Sequence, residues 1–99
     1  MQVNAFIENL KIIKASNIRI ILVQAPLPPS VYNSYDNNNF VDSFFNQHGE
    51  YYNFNKLITL SDSLHFYDPS HLNQNGVEIF NEKLLEKIKL LELQKHDIQ

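Results

Sequence analysis

The sequence predicts an α/β fold with about two parallel strands and two to three helices. Three segments support this: an amphipathic helix near the start, a strand that is apolar on both faces, and a long amphipathic helix near the end. A strand with two apolar faces is typical of a parallel sheet covered by helices. The 99 residues suffice for a single small domain, residues 1–99, or for part of a larger one.

The first half of the chain predicts one helix and one strand. The helix is predicted over residues 2–14, because apolar residues recur there at helical spacing. The strand is predicted over residues 18–25, which are rich in β-branched side chains and almost continuously apolar until Pro26 ends the run. The prolines that follow favour extended backbone, and residues 31–39 are predicted to form a polar, aromatic loop.

The middle of the chain predicts shorter elements. Residues 40–47 are predicted to form a short helix closed by Gly49, and residues 51–54 a short strand. Residues 56–65 show no periodic pattern and are predicted to be irregular.

A long helix is predicted over residues 74–93, with one apolar face. Asn73 is predicted to cap its start, with Asn75 and Glu78 as an alternative capping pair. The polar residues 94–99 are predicted to fray.

Composition excludes several classes of function. The net charge is -3 and the eight Lys and Arg residues are scattered, so we expect no nucleic-acid partner. There is no cysteine, which excludes disulfides, a thiol nucleophile and a cysteine-based zinc site. The longest purely apolar stretch is Ile20–Val23, so no membrane span is expected. The first eleven residues do not resemble a signal peptide. If the parent protein is exported, its signal is expected upstream of these residues, so the sequence assigns no compartment.

Asp68 and His71 are the candidate catalytic residues. They lie three residues apart in a turn that contains Pro69 and leads into the last helix. A carboxylate so placed can reach the imidazole Nδ1, fix the tautomer and leave Nε2 as a general base. The alternative interpretation is structural, since Asp before Pro and Asn before a helix commonly stabilise turns and helix starts. The residues alone leave both interpretations open.

The run Phe66-Tyr67-Asp68-Pro69-Ser70-His71-Leu72-Asn73-Gln74-Asn75-Gly76, followed by Phe80 and Leu84, resembles the last conserved block of SGNH/GDSL hydrolases, a family of serine esterases and lipases. The resemblance implies that Asp68 and His71 belong to a Ser-His-Asp triad. It also implies the C-terminal portion of a three-layer α/β/α, flavodoxin-like fold. The substrate would be an ester or an acylated small molecule or carbohydrate, and no cofactor is implied.

The chain departs from this family's pattern at the nucleophile. The family carries its Ser in a Gly-Asp-Ser motif near the N-terminus and its oxyanion donors in two later blocks, and none of these occurs in the 99 residues. The resemblance therefore predicts a C-terminal segment that is inactive alone, and it leaves ester hydrolysis and acyl transfer both open.

Two other functions are consistent with the sequence. His65, Asp68 and His71, with Asp62 nearby, contain potential ligands for a metal ion. Alternatively, the chain is a non-catalytic module that binds a small ligand, a carbohydrate or a lipid. In that case the aromatic residues after the first strand would line a pocket, with Tyr32 and Tyr35 at its rim.

Two further expectations concern packing. Phe40, Phe44 and Phe45 are predicted to lie in the core, and Tyr67 to pack as an anchor for the turn. If residues 18–25 form a strand with a bare edge, the chain is expected to self-associate through that strand.

Overall fold

The computed structural model describes the backbone of residues 3–97 and the side chains of residues 3–93. The chain is a mixed α/β protein with two two-stranded sheets, as the sequence predicts at this level. The elements in chain order are α1 (Val3–Ala15), β1 (Ile21–Gln24), α2 (Pro29–Ser34), α3 (Asn38–His48), β2 (Glu50–Asn53), α4 (Phe54–Leu57), α5 (Asp62–His65), β3 (Phe66–Asp68), β4 (His71–Leu72) and α6 (Gln74–Asp97).

Strands β1 and β2 form a parallel pair. Ile21 lies opposite Glu50 and Gln24 lies opposite Asn53, so both strands end at the same edge. The connection between them carries α2 and α3, because parallel strands cannot be joined by a tight turn. This arrangement places the residues after Gln24 and after Asn53 side by side.

Helices cover both faces of this sheet. Tyr51 stacks on Phe45 of α3 with ring centroids 5.3 Å apart. The next residue, Tyr52, has Lys87 Nζ of α6 4.5 Å from its ring centroid. Successive residues of a strand face opposite sides, so α3 and α6 lie on opposite faces. Phe6 of α1 packs edge-on against Phe45, which places α1 beside α3.

The core of the described residues is small. Phe54, 1% exposed, packs at its centre with its ring edge-on to Phe80, centroids 5.2 Å apart. The other buried apolar side chains are Leu10, Leu60, Phe66 and Leu91. No described helix is long and apolar enough to cross a lipid bilayer.

Two predicted packing roles are wrong. Phe40 is 73% exposed, because the half-buried stripe of α3 runs through Val41, Phe44 and His48. Phe40 lies roughly a quarter turn away from the centre of that stripe.

Tyr67 is 77% exposed, because its neighbour Phe66 faces the core and residues alternate along a strand. Tyr67 is therefore not an anchor for the turn.

The first strand is shorter and less buried than predicted. It covers Ile21–Gln24 and not residues 18–25, and Val23 remains 39% exposed. In the described part of the chain its one strand neighbour is β2, which offers only four residues to pair with. The other edge of β1 is unpaired in that part of the chain. The predicted bounds of the strand are therefore wrong, whereas an unpaired edge is what the expectation of self-association supposes.

Part of the predicted aromatic loop is the helix α2. Pro29 occupies its first turn, where a missing N–H costs nothing, and the Pro28 carbonyl accepts from the N–H groups of Val31 and Tyr32. The Ser30 N–H donates to Asp62 Oδ1 at 3.2 Å. Asp62 lies 32 residues after Ser30, so this hydrogen bond could not be predicted from the residues around α2.

Residues 54–65 contain two single-turn helices, whereas a strand was predicted as far as residue 54 and an irregular segment over residues 56–65. The Asn53 side chain accepts from the Asn55 N–H at the start of α4, and Ser61 Oγ accepts from the Leu64 N–H at the start of α5. Helix α6 continues to Asp97, four residues beyond the predicted end. The fraying of residues 94–99 stays a prediction, and residues 98–99 lie outside the described part of the chain.

Candidate functional site

Asp68 and His71 face each other across a tight hairpin. They are directly opposite in the antiparallel pairing of β3 and β4, with Pro69 and Ser70 forming the turn between them. The strand partner of Leu72 is Phe66, which is buried and anchors the hairpin. The turn therefore places the carboxylate and the imidazole on neighbouring backbone positions.

The imidazole of His71 is hydrogen-bonded to the carboxylate. His71 Nδ1 lies 2.9 Å from Asp68 Oδ1 and 3.0 Å from Asp68 Oδ2. An ionised carboxylate can only accept, so Nδ1 carries the proton and Nε2 keeps its lone pair in the neutral ring. Ser70 Oγ lies 3.1 Å from the same Nδ1 and 3.2 Å from Asp68 Oδ1.

The charge of Asp68 is stabilised by its own turn. The Ser70 N–H donates to Asp68 Oδ1 at 2.8 Å, and this bond is the main reason that the pKa of the Asp68 carboxyl lies below its ordinary value. The hydrogen bond from His71 adds to the same effect. Each donor favours the ionised carboxylate over the neutral acid.

Asn73 and Gly76 fasten the hairpin to α6. Asn73 Oδ1 accepts from the Gly76 N–H at 3.0 Å, which is the geometry of a helix N-cap. The Asn73 N–H donates to the His65 carbonyl at 2.9 Å, and its side-chain amide donates to the Leu64 carbonyl at 2.9 Å. A Cβ on Gly76 would collide with the His65 carbonyl oxygen, so glycine allows this close contact.

The pair lies at the surface beside a small cleft. The side chain of His71 is 72% exposed and that of Asp68 is 48% exposed. A cavity of about 150 Å³ adjoins Asp68, between the hairpin and the start of α2, and Ser30 and Asp62 are among its lining residues. Within residues 3–93, no hydroxyl is hydrogen-bonded to His71 Nε2. The pair is thus shaped as a general base that lacks a nucleophile within this part of the chain.

His65 does not join Asp68 and His71. Its Nδ1 accepts from the Ser61 N–H at 2.8 Å, which uses that nitrogen to hold the start of α5. No three His, Asp or Glu side chains gather into a possible metal site among the described residues. The structure therefore does not assemble the metal-ligand set that the sequence spacing suggested.

Sequence reasoning missed a second polar cluster, at the carboxyl end of β2. Asn53 is 7% exposed, and its amide donates to Asp42 Oδ1 at 3.0 Å and to the Tyr32 hydroxyl at 2.9 Å. The Tyr51 hydroxyl lies 2.8 Å from the same Asp42 oxygen, and Lys56 Nζ donates to Asp42 Oδ2 at 2.6 Å. We call Asp42, Tyr51, Asn53 and Lys56 the Asp42 network.

The ionisation states in the Asp42 network follow from these contacts. Partial burial of Asp42 opposes its charge, yet the hydrogen bonds from Lys56, Tyr51 and Asn53 outweigh it and lower the pKa of the carboxyl. Burial, together with the hydrogen bond to Asp42, raises the pKa of the Tyr51 hydroxyl, which stays protonated as a donor. The polar residues that follow the predicted strand 51–54 indicate a possible site at this edge of the sheet. No feature of the sequence around Asp42 indicates that its side chain, on α3, reaches the same edge.

The two tyrosines predicted at a pocket rim lie in different places. Tyr32 lines a cavity of about 320 Å³ that also contacts Pro26, Asn55 and Lys56 at the carboxyl ends of β1 and β2. Tyr35 is 50% exposed and lies beyond the end of α2. The structure therefore brings Tyr32, but not Tyr35, to the edge where both strands end.

Comparison of the chain with protein-family models, with curated proteins and with solved structures gives no match. The arrangement of its own residues is therefore the basis for any statement about its function.

Proposed function

We propose that this chain is the C-terminal segment of an SGNH-like serine esterase and supplies the Asp–His half of the catalytic triad. The observation that carries the proposal is the bond between His71 Nδ1 and both oxygens of Asp68, at 2.9 and 3.0 Å, in a hairpin that leads directly into α6. It leaves Nε2 directed away from the carboxylate, as a general base requires.

The surrounding architecture supports the same proposal at a coarser level. Parallel strands joined through helices, with helices on both faces, are what a portion of a three-layer, flavodoxin-like fold would contain. A helix, α6, follows the Asp–His block directly, which is consistent with the helix that the resemblance implies there.

In the proposed reaction, a serine from outside these residues attacks the ester carbonyl. His71 Nε2 accepts the serine proton, and Asp68 stabilises the resulting imidazolium through Nδ1–H. His71 then returns that proton to the leaving alcohol. A water molecule then attacks the acyl-enzyme and gives a proton to His71 Nε2. The acid is released, and the serine oxygen takes that proton back. Oxyanion donors would also have to come from outside, since the family's Gly and Asn blocks are missing from the sequence.

The proposal predicts that the 99 residues alone do not react with a fluorophosphonate probe. Intact-mass measurement of the purified chain is expected to show no adduct, because no hydroxyl is hydrogen-bonded to His71 Nε2 in residues 3–93. A stoichiometric adduct that disappears in His71→Ala and survives in Lys83→Ala would show that a serine of this chain is the nucleophile. That result would contradict the division of the triad proposed above.

Sequencing the DNA on the 5′ side of these codons is the companion measurement. We expect a Gly-Asp-Ser segment followed by a Gly-bearing and an Asn-bearing block. In that longer product the probe should label the serine, and His71→Ala should abolish the labelling. Absence of any such segment, or labelling that is unaffected by His71→Ala, would contradict the esterase proposal.

A further inference from the structure

The strongest unexplained feature of the molecule is a cavity of about 450 Å³ beside the Asp42 network. It lies between α3 and the carboxyl end of β2, and its lining is mostly able to form hydrogen bonds: Asn39, Asp42, Ser43, Asn46, Asn53 and Lys56. Its volume falls within the roughly 300–1,000 Å³ that small-ligand sites occupy. In open α/β sheets, ligands bind outside the carboxyl ends of the strands, which is where this cavity lies.

The groups of the Asp42 network hold one another by hydrogen bonds in the absence of a ligand. Asp42 lies on α3, Tyr51 and Asn53 lie on β2, and Lys56 lies on α4. Hydrogen-bonding side chains from three elements therefore meet in this network. The amide oxygen of Asn53 is also occupied, since it accepts from the backbone and side-chain N–H groups of Asn55. A ligand would therefore meet groups whose orientation is already fixed, which lowers the entropy lost on binding.

The Asp42–Lys56 pair has hydrogen-bonding capacity that its described contacts do not use. Asp42 Oδ2 accepts one bond, from Lys56, and a carboxylate oxygen can accept two. Lys56 Nζ carries three protons, and one of them is used for Asp42 among the described contacts. An acceptor and two donors thus lie side by side, with Asp42 and Lys56 2.6 Å apart.

This pattern matches two hydroxyl groups on adjacent carbons. One hydroxyl can accept from the Lys56 ammonium while its neighbour donates to Asp42 Oδ2. Because the two charges form an ion pair, the site carries no net charge that would favour an anion or a cation. Leu57 is 51% exposed and also lines the cavity, so an apolar side chain is available for the C–H face of a ring.

We propose that the cavity beside Asp42 and Lys56 binds a neutral sugar through a vicinal diol. The Asn39 and Asn46 amides on α3 would contact further hydroxyls, since each amide both donates and accepts. Lys56 also lines the 320 Å³ cavity that contains Tyr32. The site shares no residue with the Asp68–His71 hairpin and does not depend on the esterase proposal.

The test is an NMR titration of the folded 99-residue chain with the methyl glycosides of glucose, galactose and mannose. Tetrahydropyran, which lacks hydroxyls, and inorganic phosphate serve as comparison probes. At least one glycoside is expected to shift the side-chain amide signals of Asn39, Asn46 and Asn53 in a saturable manner. The two comparison probes are expected to leave these signals in place.

Lys56→Met separates this site from general surface effects. The Lys56 side chain is 54% exposed, so its replacement leaves Asp42 with its partners Tyr51 and Asn53 and should preserve the fold. Binding is expected to weaken about tenfold or more, the usual effect of losing a hydrogen bond to a charged group. The matched control is Lys83→Met on α6, with a similarly exposed lysine, which should bind as the parent chain does.

Three results would overturn the proposal. They are the absence of saturable shifts with all three glycosides, equal affinity in Lys56→Met and the parent chain, and shifts caused by phosphate or tetrahydropyran but not by a glycoside. Asp42→Asn supplies a second variant should Lys56→Met lose its dispersed spectrum. Its amide Nδ2 cannot accept the hydroxyl proton, so binding is again expected to fall about tenfold.

Discussion

Asp68 shows how few residues are needed to build a preorganised carboxylate. Its acceptor oxygens are satisfied by the backbone and hydroxyl of Ser70 and by His71, all within three positions of the chain. Such short-range geometry can be inferred from spacing, and the Asp68–His71 pairing was accordingly expected from the sequence. Asp42 differs, because its partners lie 9, 11 and 14 residues away and meet it only after α3 and β2 have packed.

At this scale we predict that His71→Ala raises the pKa of the Asp68 carboxyl. The rise should be partial, because the Ser70 N–H remains and is the larger cause of the lowered pKa. Carboxyl carbon shifts of Asp68, followed by NMR through the acid range, measure it directly. Ser70→Ala is the comparison: it removes only the hydroxyl contact and keeps the backbone donor, so a smaller rise is expected.

The lowered pKa of Asp68 also fixes the sign of its effect on stability. A carboxyl whose pKa is lower in the folded chain than in the unfolded chain stabilises the fold above its ordinary pKa, near 3.9. That contribution is lost as the pH falls through the lowered value. In acid titrations, Asp68→Asn should therefore lose less stability below about pH 4 than the parent chain. A steeper acid loss in Asp68→Asn would contradict this sign.

At the scale of elements, the long helices α1 and α6 differ from the short helix α2 in how much of each is specified by neighbouring residues. The helix predicted over residues 2–14 corresponds closely to α1, and the helix predicted over residues 74–93 starts at the same residue as α6. Both could be predicted because the spacing of apolar residues within the segment itself indicates a helix. At its start, the short helix α2 donates a hydrogen bond to Asp62, which is distant in sequence and contacts it only in the folded chain. Short elements fixed by tertiary caps could not be predicted from local pattern.

The junction of α5, the hairpin and α6 yields a prediction at this scale. Gly76→Ala is expected to destabilise the fold by about 1–3 kcal/mol, the usual cost of inserting a methyl group where there is no room. The added Cβ would meet the His65 carbonyl oxygen, a backbone atom that cannot move without shifting the junction of α5 and β3. It would also meet Leu72 Cδ2, the end of a side chain that can turn away. Urea unfolding measures the free-energy change.

Gly49→Ala is the matched control for Gly76→Ala. A Cβ at position 49 would meet only Leu22 Cδ1, at an ordinary contact distance of 3.8 Å. Its stability should stay near that of the parent chain, since an extended alanine also loses less backbone freedom on folding. Equal effects of the two substitutions would show that the close contact at Gly76 does not hold the junction together.

At the scale of the whole molecule, the chain is more open than its length predicts. Its radius of gyration is 15.3 Å, compared with about 13 Å for a compact chain of this length. Its accessible surface is 7191 Å², compared with about 5,800 Å² for a folded monomer of its mass. Large apolar side chains such as Ile12, Ile18 and Leu85 are more than half exposed.

We therefore predict self-association that depends on the open edge of β1. Sedimentation velocity should show an average mass that rises with concentration, because an unpaired strand edge offers its N–H and C=O groups to another strand. Val23→Lys, a charge placed on that strand, should reduce the association. Val3→Lys, at a similarly exposed position of α1, is the control and should not. A monomer at all concentrations, or an equal effect of both variants, would contradict the prediction.

The hairpin and the sheet also differ in how far apart along the chain their partners lie. Asp68 and His71 close a loop of three residues, whereas the parallel pairing of Ile21 with Glu50 must close one of 29. Short loops close with less loss of chain entropy and in far less time than long ones. The carboxylate–imidazole contact is thus expected to form earlier in folding than the parallel sheet does. An intact Asp68–His71 bond therefore reports on the four residues 68–71, and not on whether the remainder of the chain has reached its native arrangement.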